Sequence, residues 1–230
     1  MKRVVILTGA GISAESGLKT FRDSGGLWEG YEVTQVATPQ AWEANQELVL
    51  EFYNQRRQQA IEAKPNPGHL ALAELESYFD VQIITQNIDD LHEKAGSTKV
   101  LHLHGEIFKA RSTVDPRLVY TLDHWRLKKG DKCEKGSQLR PHIVWFGEAV
   151  PMMEPAIELT RSADIFIVAG TSLVVYPAAG LLDYVAHDIP KFIVDPKIPQ
   201  IGSSQSLFLF EEKASSGLPK IKELLLKEYL

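Results

Sequence analysis

Val4-Val5-Ile6-Leu7-Thr8-Gly9-Ala10-Gly11-Ile12-Ser13-Ala14-Glu15-Ser16-Gly17 is the stretch whose reading decides the fold. A β-branched, apolar run stops abruptly and gives way to small residues. A buried parallel strand that runs into a ligand-facing turn has this pattern. Glycines let the backbone approach a ligand that a Cβ would hold off, and the free N–H groups of a following helix attract an anion. The spacing Gly9-x-Gly11-x-x-Ala14 is the looser form of a dinucleotide fingerprint. Taken alone, it describes a tight strand–helix turn without ligand equally well. The polar tail Lys19-Thr20-Phe21-Arg22-Asp23 is harder to explain as packing.

Outward from this turn, strands alternate with helices. Val4–Leu7 is followed by strands expected at Val81–Thr85, Val100–Leu103, Ile165–Ala169, Lys191–Val194 and Ser206–Phe210. A helix is expected from Pro39 to about Ala63, with Trp42, Leu48, Phe52 and Ile61 as apolar positions. Lys64-Pro65-Asn66-Pro67 ends it, and Asn66 before Pro67 caps the next helix. A last amphipathic helix, roughly Gly217–Tyr229, places Leu218, Ile221 and Leu225 on one side. The strands end in polar clusters: Gln86-Asn87-Ile88-Asp89-Asp90, His104-Gly105-Glu106, Gly170-Thr171-Ser172 and Asp195-Pro196. In an open parallel sheet these ends converge on one crevice. Ala110 to about Pro141 breaks the alternation and reads as an insertion of short strands and turns.

The chain has 230 residues, enough for one large domain with a small inserted lobe. Its net charge of −5 is spread along the chain, and no basic block points to nucleic acid. Cys133 is the single cysteine, so neither an internal disulfide nor a four-cysteine metal site is available. Met1-Lys2-Arg3 leads straight into the first strand, whose apolar run is too short for a signal peptide or a membrane span. A cytoplasmic protein is the expectation.

Four groups carry candidate chemistry. His104 ends a buried strand beside Gly105 and can take a proton near neutral pH; a hydrogen-bonded structural histidine is the plainer reading. His102, two residues earlier on the same face, suggests a metal pair, but no third ligand has a recognisable spacing. Gln86, Asn87 and Asp89 can bind ribose hydroxyls and a carboxamide, or cap the next helix. Gly170, Thr171 and Ser172 offer N–H and hydroxyl groups to phosphate. Tyr53 and Arg56, three apart on a helix, share a face on which a phenol and a guanidinium can grip a carboxylate, although a solvated arginine is commoner.

Together these motifs resemble the sirtuins, NAD-dependent protein-lysine deacylases. The likeness rests on Gly9-Ala10-Gly11-Ile12-Ser13 continuing through Ser16-Gly17 to Phe21-Arg22, then Thr85-Gln86-Asn87-Ile88-Asp89, His104-Gly105-Glu106, Pro141-His142-Ile143-Val144-Trp145-Phe146-Gly147-Glu148 and Gly170-Thr171-Ser172-Leu173. It implies an α/β fold, a Rossmann-like parallel sheet with a smaller lobe made of a helical segment and a degenerate zinc-module-like segment. The large lobe would comprise about 1–30, 66–109 and 142–230, and the small lobe 31–65 and 110–141. Ala37-Thr38-Pro39-Gln40-Ala41 followed by Tyr53-x-x-Arg56 resembles the branch that removes succinyl and malonyl groups, where such a pair binds the distal carboxylate.

The resemblance also implies the chemistry and the site. NAD, consumed as co-substrate, would contact Gly9, Ala10, Gly11, Ser13, Ala14, Ser16, Gly17, Phe21, Arg22, Trp28, Gln86, Asn87, Ile88, Asp89, Gly170, Thr171, Ser172, Ile193, Val194, Asp195 and Ala214. The acyl-lysine protein or peptide would enter beside Val144, Phe146 and Gly147 as an added strand. Its amide oxygen attacks C1′ of the ribose as nicotinamide leaves. His104 serves as base so that the 2′-oxygen attacks the alkylimidate, giving free lysine and O-acyl-ADP-ribose. Two positions depart from the family pattern. Ser112 stands where the first of four zinc cysteines is expected and only Cys133 remains, so no structural zinc is expected and packing of Leu118, Tyr120, Leu122, Trp125 and Leu127 would hold the lobe. Ile193 stands where many relatives carry an asparagine near the adenosine ribose. The rival readings are a dehydrogenase, for which no acid-ending strand lies about 20 residues past the glycines, a protein ADP-ribosyltransferase using the same site, and a non-catalytic NAD or acyl-peptide sensor.

Overall fold

A computed structural model describes residues 1–18, 27–28, 30–199 and 206–230, with side chains omitted at 27 and 28. The strands are β1 (Arg3–Thr8), β2 (Leu27–Trp28), β3 (Tyr31–Glu32), β4 (Asp80–Thr85), β5 (Val100–His102), β6 (Gly105–Ser112), β7 (Val119–Thr121), β8 (Leu139–Ile143), β9 (Ile165–Ala169), β10 (Lys191–Val194) and β11 (Leu207–Phe210). The helices are α1 (Ala10–Ala14), α2 (Val33–Val36), α3 (Pro39–Ala44), α4 (Gln46–Glu62), α5 (Pro67–Leu75), α6 (Leu91–Lys94), α7 (Met153–Arg161) and α8 (Ala214–Glu228), with a 3-10 turn at Ala178–Tyr184.

Six strands form one parallel sheet in the order β11-β10-β9-β1-β4-β5. Alternate residues of each strand face opposite sides. Both sides of β10, β9, β1 and β4 are covered, which is why these strands read as continuous apolar runs, while the edge strands β11 and β5 are partly exposed. Val4, Ile6, Ile83, Ile167 and Val194 pack with Leu72 of α5 and Leu218, Ile221 and Leu225 of α8. Val5, Leu7, Ile84, Val168 and Ile193 pack on the other side with Ala156 of α7 and Leu181 of the 3-10 turn. The architecture is α/β and Rossmann-like. All six strands run the same way, so the carboxyl ends of β1, β4, β5, β9 and β10 share one edge.

A second core draws on two separate stretches. Val36, Trp42, Val49, Leu50, Phe52, Tyr53 and Ala60 pack with Ile107, Ala110, Leu127, Cys133, Leu139, Ile143 and Trp145, around the antiparallel sheet β7-β6-β8. The single helix expected from Pro39 to Ala63 is two. Asn45 is extended (φ −155°, ψ 84°), and its side chain accepts from Leu48 N at 3.0 Å, capping α4. Ile61 faces outward, about half exposed, and so does not serve as a core position. Asn66 does cap α5, with Pro67 at its first turn and His69 completing a capping box.

Candidate active site

Two glycine turns lock together at the centre of the carboxyl edge. Gly9 N donates to Ala169 O (3.1 Å) and Gly11 N to Gly170 O (2.8 Å). A Cβ on Gly9 would stand 2.7 Å from Thr171 Cβ, and one on Gly11 2.7 Å from Gly170 O. Gly170 is left-handed (φ 63°), and a Cβ there would strike Ile12 N. The space left by the missing side chains is thus used first by the neighbouring turn. Between them Ala10 is exposed and Ala14 half-buried, while Ser13 is buried in α1. Asn66, beyond its capping role, donates to Ile12 O (2.7 Å) and Ser16 Oγ (3.0 Å), bracing the run that leads to exposed Gly17.

The segment after β4 is stitched to this turn. Asn87 Nδ2 donates to Gly9 O (3.1 Å) and Ser13 Oγ (3.0 Å), and Ser13 Oγ donates to Asp89 Oδ2 (3.0 Å). Leu91 N donates to Asp89 Oδ1 at 3.2 Å. Burial pushes the Asp89 carboxyl pKa up, against the pull of the Leu91 and Ser13 hydrogen bonds. Gln86 Nε2 donates to Thr171 Oγ1 (3.1 Å), tying β4 to the turn after β9, with Ser172 half-buried beside it. Ile88 plays a scaffold part: its carbonyl accepts from Ile107 N at 2.7 Å and its side chain packs on the second core.

Two histidines, one ending β5 and one two residues beyond it, have different partners. His104 Nδ1 lies 3.0 Å from Gln86 O. A carbonyl only accepts, so Nδ1 carries the proton and Nε2 is the basic nitrogen of the neutral ring. Burial lowers the His104 pKa, opposed by the Gln86 bond, which keeps the ring in the form a base requires. His102 places Nδ1 3.0 Å from Asn87 O and Nε2 2.8 Å from Glu93 Oε1. Burial pulls its pKa down, but Glu93 and Asn87 together outweigh it and the net direction is up. The rings therefore serve separate acceptors, and among the described residues no three His, Cys, Asp or Glu side chains gather to hold a metal.

Other expected contacts stand further off or elsewhere. Ile193 and Val194 bury their side chains in the two sheet cores, so a ligand would meet only their backbone. Asp195 is buried after β10, accepting from Lys197 N at 2.9 Å, and Ala214 is buried at the start of α8. Phe21 and Arg22 lie outside the described residues, as does the Trp28 side chain, whose backbone pairs with Tyr31.

With this geometry in hand, the Sir2 family model matches residues 9–177. The chain belongs to the Sir2 family. It is 51% identical to an NAD-dependent protein deacylase of Bacteroides thetaiotaomicron over 98% of this chain and 99% of that one. It is likewise 51% identical to an NAD-dependent protein deacylase of Helicobacter pylori, covering 97% and 99%. Among solved structures it resembles a Sir2 homologue in complex with NAD (TM-score 0.88, 39% identity, 98% and 90% covered). It also resembles Sir2 bound to an acetylated peptide (TM-score 0.78, 30% identity, 96% and 92% covered).

The segment after β8 runs past His104. Val144 N donates to His104 O (2.9 Å), and Phe146 N to Ala37 O (3.0 Å). Phe146 is half exposed and Val144 half-buried, with Gly147 turning in the left-handed region (φ 90°). Tyr53 lies wholly buried on α4, its hydroxyl accepting from Trp145 Nε1 at 3.1 Å, and burial pushes its pKa up. The Arg56 guanidinium stands 5.8 Å from the Phe52 ring centre and acts electrostatically on Tyr53.

A polar knot holds the tip of this lobe. Cys133 Sγ lies 3.3 Å from Ser112 Oγ and 3.1 Å from Ser137 Oγ, and the two hydroxyls are 2.9 Å apart. Those hydroxyl bonds lower the thiol to about 7. Asp115 is taken by Arg117 on two bonds (both 3.0 Å) and by Lys135 Nζ at 2.8 Å. One thiol, two mutually bonded hydroxyls and a carboxylate already neutralised do not suit a tetrahedral zinc site.

Residue-by-residue reading missed the staple beneath the knot. Arg57 is fully buried and donates to Ile107 O (2.6 Å), Trp125 O (2.6 Å) and Asn54 Oδ1 (2.7 Å). Asn54 in turn exchanges two bonds with the Leu127 main chain, Nδ2 to O at 3.0 Å and N to Oδ1 at 2.8 Å. The available signal was the spacing of Asn54, Arg57 and Ala60 on the buried side of α4.

Proposed function

We propose that this chain removes acyl groups from protein lysines by consuming NAD, with His104 as the general base. The observation that carries it is the His104–Gln86 bond, which leaves Nε2 as the basic nitrogen, on a residue whose partner Gln86 precedes the Asn87–Ser13–Asp89 chain and whose carbonyl accepts from Val144 N. NAD supplies, when bound, a ribose carbon that becomes electrophilic as nicotinamide departs. The donor set of amides, hydroxyls, a buried carboxylate and a neutral imidazole suits ribose hydroxyls and a carboxamide.

Gly9, Ala10, Gly11, Ser13, Ala14, Ser16, Gly17, Gly170, Thr171 and Ser172 would bind the diphosphate side. Gln86, Asn87, Ile88 and Asp89 would hold the ribose and nicotinamide. Val144, Phe146 and Gly147 would take the peptide as an added strand, and Tyr53 with Arg56 would read a distal carboxylate on the acyl group. Ile193, Val194, Asp195 and Ala214 would contribute mainly through backbone and burial. Burial of the nicotinamide would protect the ribose carbon from water.

The large lobe, about 1–30, 66–109 and 142–230, would carry NAD, and the small lobe, 31–65 and 110–141, the acyl pocket, in one catalytic domain. We place the protein in the cytoplasm, acting on protein or peptide substrates without nucleic acid or membrane. Among the described residues no helix is long and apolar enough to cross a membrane.

The test is a panel of acetyl-, malonyl- and succinyl-lysine peptides with NAD, read as nicotinamide release. His104→Ala is expected to lose at least about a hundredfold in turnover while unfolding at the wild-type denaturant midpoint. Wild-type turnover in that variant removes the base assignment, and label passing from NAD to protein would indicate ADP-ribosyl transfer instead. Arg56→Met is expected to lower the succinyl-to-acetyl kcat/KM ratio about tenfold. An unchanged ratio would show that Arg56 does not read the carboxylate.

A further inference from the structure

Trp145 separates two functions of one short segment. Its neighbours Val144 and Phe146 are tied to His104 O and Ala37 O and are the residues offered to peptide. The Trp145 ring turns the other way and is buried. Its Nε1 reaches Tyr53 Oη at 3.1 Å, across the second core. The indole has two further neighbours: the Arg140 guanidinium lies 3.3 Å from its ring centre, and Trp42 packs at 5.8 Å with a 39° tilt. Arg140 is held in turn by Glu148, at 2.7 and 3.0 Å, and the same carboxylate accepts from Trp145 N at 2.8 Å.

This arrangement fixes more than position. An indole N–H only donates, so toward Trp145 the phenol oxygen must accept. The donor of Tyr53 is then its own O–H, on the helix face it shares with Arg56, and accepting from the indole strengthens that donor. A donor phenol beside a guanidinium favours a carboxylate over a methyl group.

We propose that Trp145 is a positioning residue that polarises Tyr53 into a hydrogen-bond donor and thereby sets the preference for acyl groups ending in a carboxylate. The proposal rests on the reading of Tyr53 and Arg56 as the carboxylate-binding pair. Peptide docking on Val144 and Phe146 and acyl recognition at Tyr53 are thus joined through one residue of the same segment.

The experiment uses the full chain with NAD and matched acetyl- and succinyl-lysine peptides. Trp145→Phe keeps an aromatic ring against Arg140 and Trp42 and removes the donor. The succinyl-to-acetyl kcat/KM ratio is expected to fall about fivefold, one hydrogen bond's worth, with the loss in the succinyl KM. In a Tyr53→Phe background, where the bond is already gone, Trp145→Phe is expected to lower the ratio no further. Trp145→His, which retains a ring N–H, is expected to recover part of the ratio, and carries the comparison if Trp145→Phe does not fold. Equal losses on both peptides in Trp145→Phe and Trp145→His, or losses from Trp145→Phe and Tyr53→Phe that multiply, overturn the proposal. If Arg56→Met leaves the ratio unchanged, the carboxylate reading fails and this role fails with it. If Arg56→Met lowers the ratio and Trp145→Phe does not, only the role of Trp145 is lost.

Discussion

The large sheet and the small lobe solve the same problem by opposite means. The sheet is sandwiched between apolar layers, and Val4 through Leu7 are buried completely on both faces. Each such side chain contributes about 1.5–3 kcal/mol by leaving water. The lobe has a smaller core and no set of cysteines to clamp it. Its loops are held by polar side chains gripping main-chain carbonyls: Arg57 on Ile107 and Trp125, Asn54 on Leu127. The first arrangement tolerates small changes in shape. The second concentrates its stability in a few directional bonds, where a single substitution has a large and local effect.

Arg57→Met would break this contrast most severely. It strands two carbonyls that now accept from a buried cation, although removing that cation also relieves its own desolvation, which holds its pKa down to about 10. The net loss is expected to be about 2–3 kcal/mol, read from the denaturant midpoint. Limited proteolysis should cut first between 107 and 145. A uniform destabilisation with no preferred cleavage there would show that the lobe does not depend on the staple.

The polar knot sharpens the comparison from the other side. If Ser112, Cys133, Ser137, Asp115 and Lys135 do the work that zinc would otherwise do, metal analysis of the purified protein should find less than stoichiometric zinc. A chelator should then leave the unfolding midpoint unchanged. Stoichiometric zinc, or a midpoint that falls with chelator, would overturn that account.

The contrast also explains what could be read in advance. Burial on both faces leaves a one-dimensional trace in the four central strands, and the β-rich composition of the two edge strands marks them as well, so the sheet and the polar residues at its strand ends were legible. The resemblance named His104, Asn87 and Asp89 together, and the fold joins Asn87 to Asp89 through Ser13. Features that depend on a partner distant in sequence were not legible. The locking of Gly9 and Gly11 against Gly170 joins turns about 160 residues apart, as the Gly11 N–Gly170 O bond illustrates. Arg57 stands beside Arg56, yet only the fold tells the staple from the candidate anion ligand. Asn45 splits α3 from α4 by capping with its side chain, which in sequence competes with an equally plausible position on a solvated helix face. The apolar list proposed for the lobe holds in part, since Leu127 is buried and Leu118, Tyr120 and Leu122 pack against its core, but the polar bonds around them had no periodic signature.

The smallest effect is expected at the seam between the two regions, where β5 passes into β6 through His102 and His104. Glu93 and Asn87 draw the His102 pKa above its ordinary 6.5 despite burial. For Glu93, burial acts upward, but the His102 bond outweighs it and the net direction is below the ordinary 4.5. A raised histidine stabilises the fold fully below its unfolded value and loses that contribution as pH rises through the folded one. A lowered carboxyl stabilises fully above its unfolded value and loses it as pH falls through the folded one. The pair is therefore complete between about 4.5 and 6.5. Because the Glu93 side chain is 41% exposed, solvent screening limits it to on the order of 0.5 kcal/mol. His102→Gln should accordingly lower the unfolding midpoint more at about pH 5.5 than at about pH 8.5. Equal deficits at both would mean that His102 supports Asn87 by packing and a neutral hydrogen bond, with no contribution from its charge.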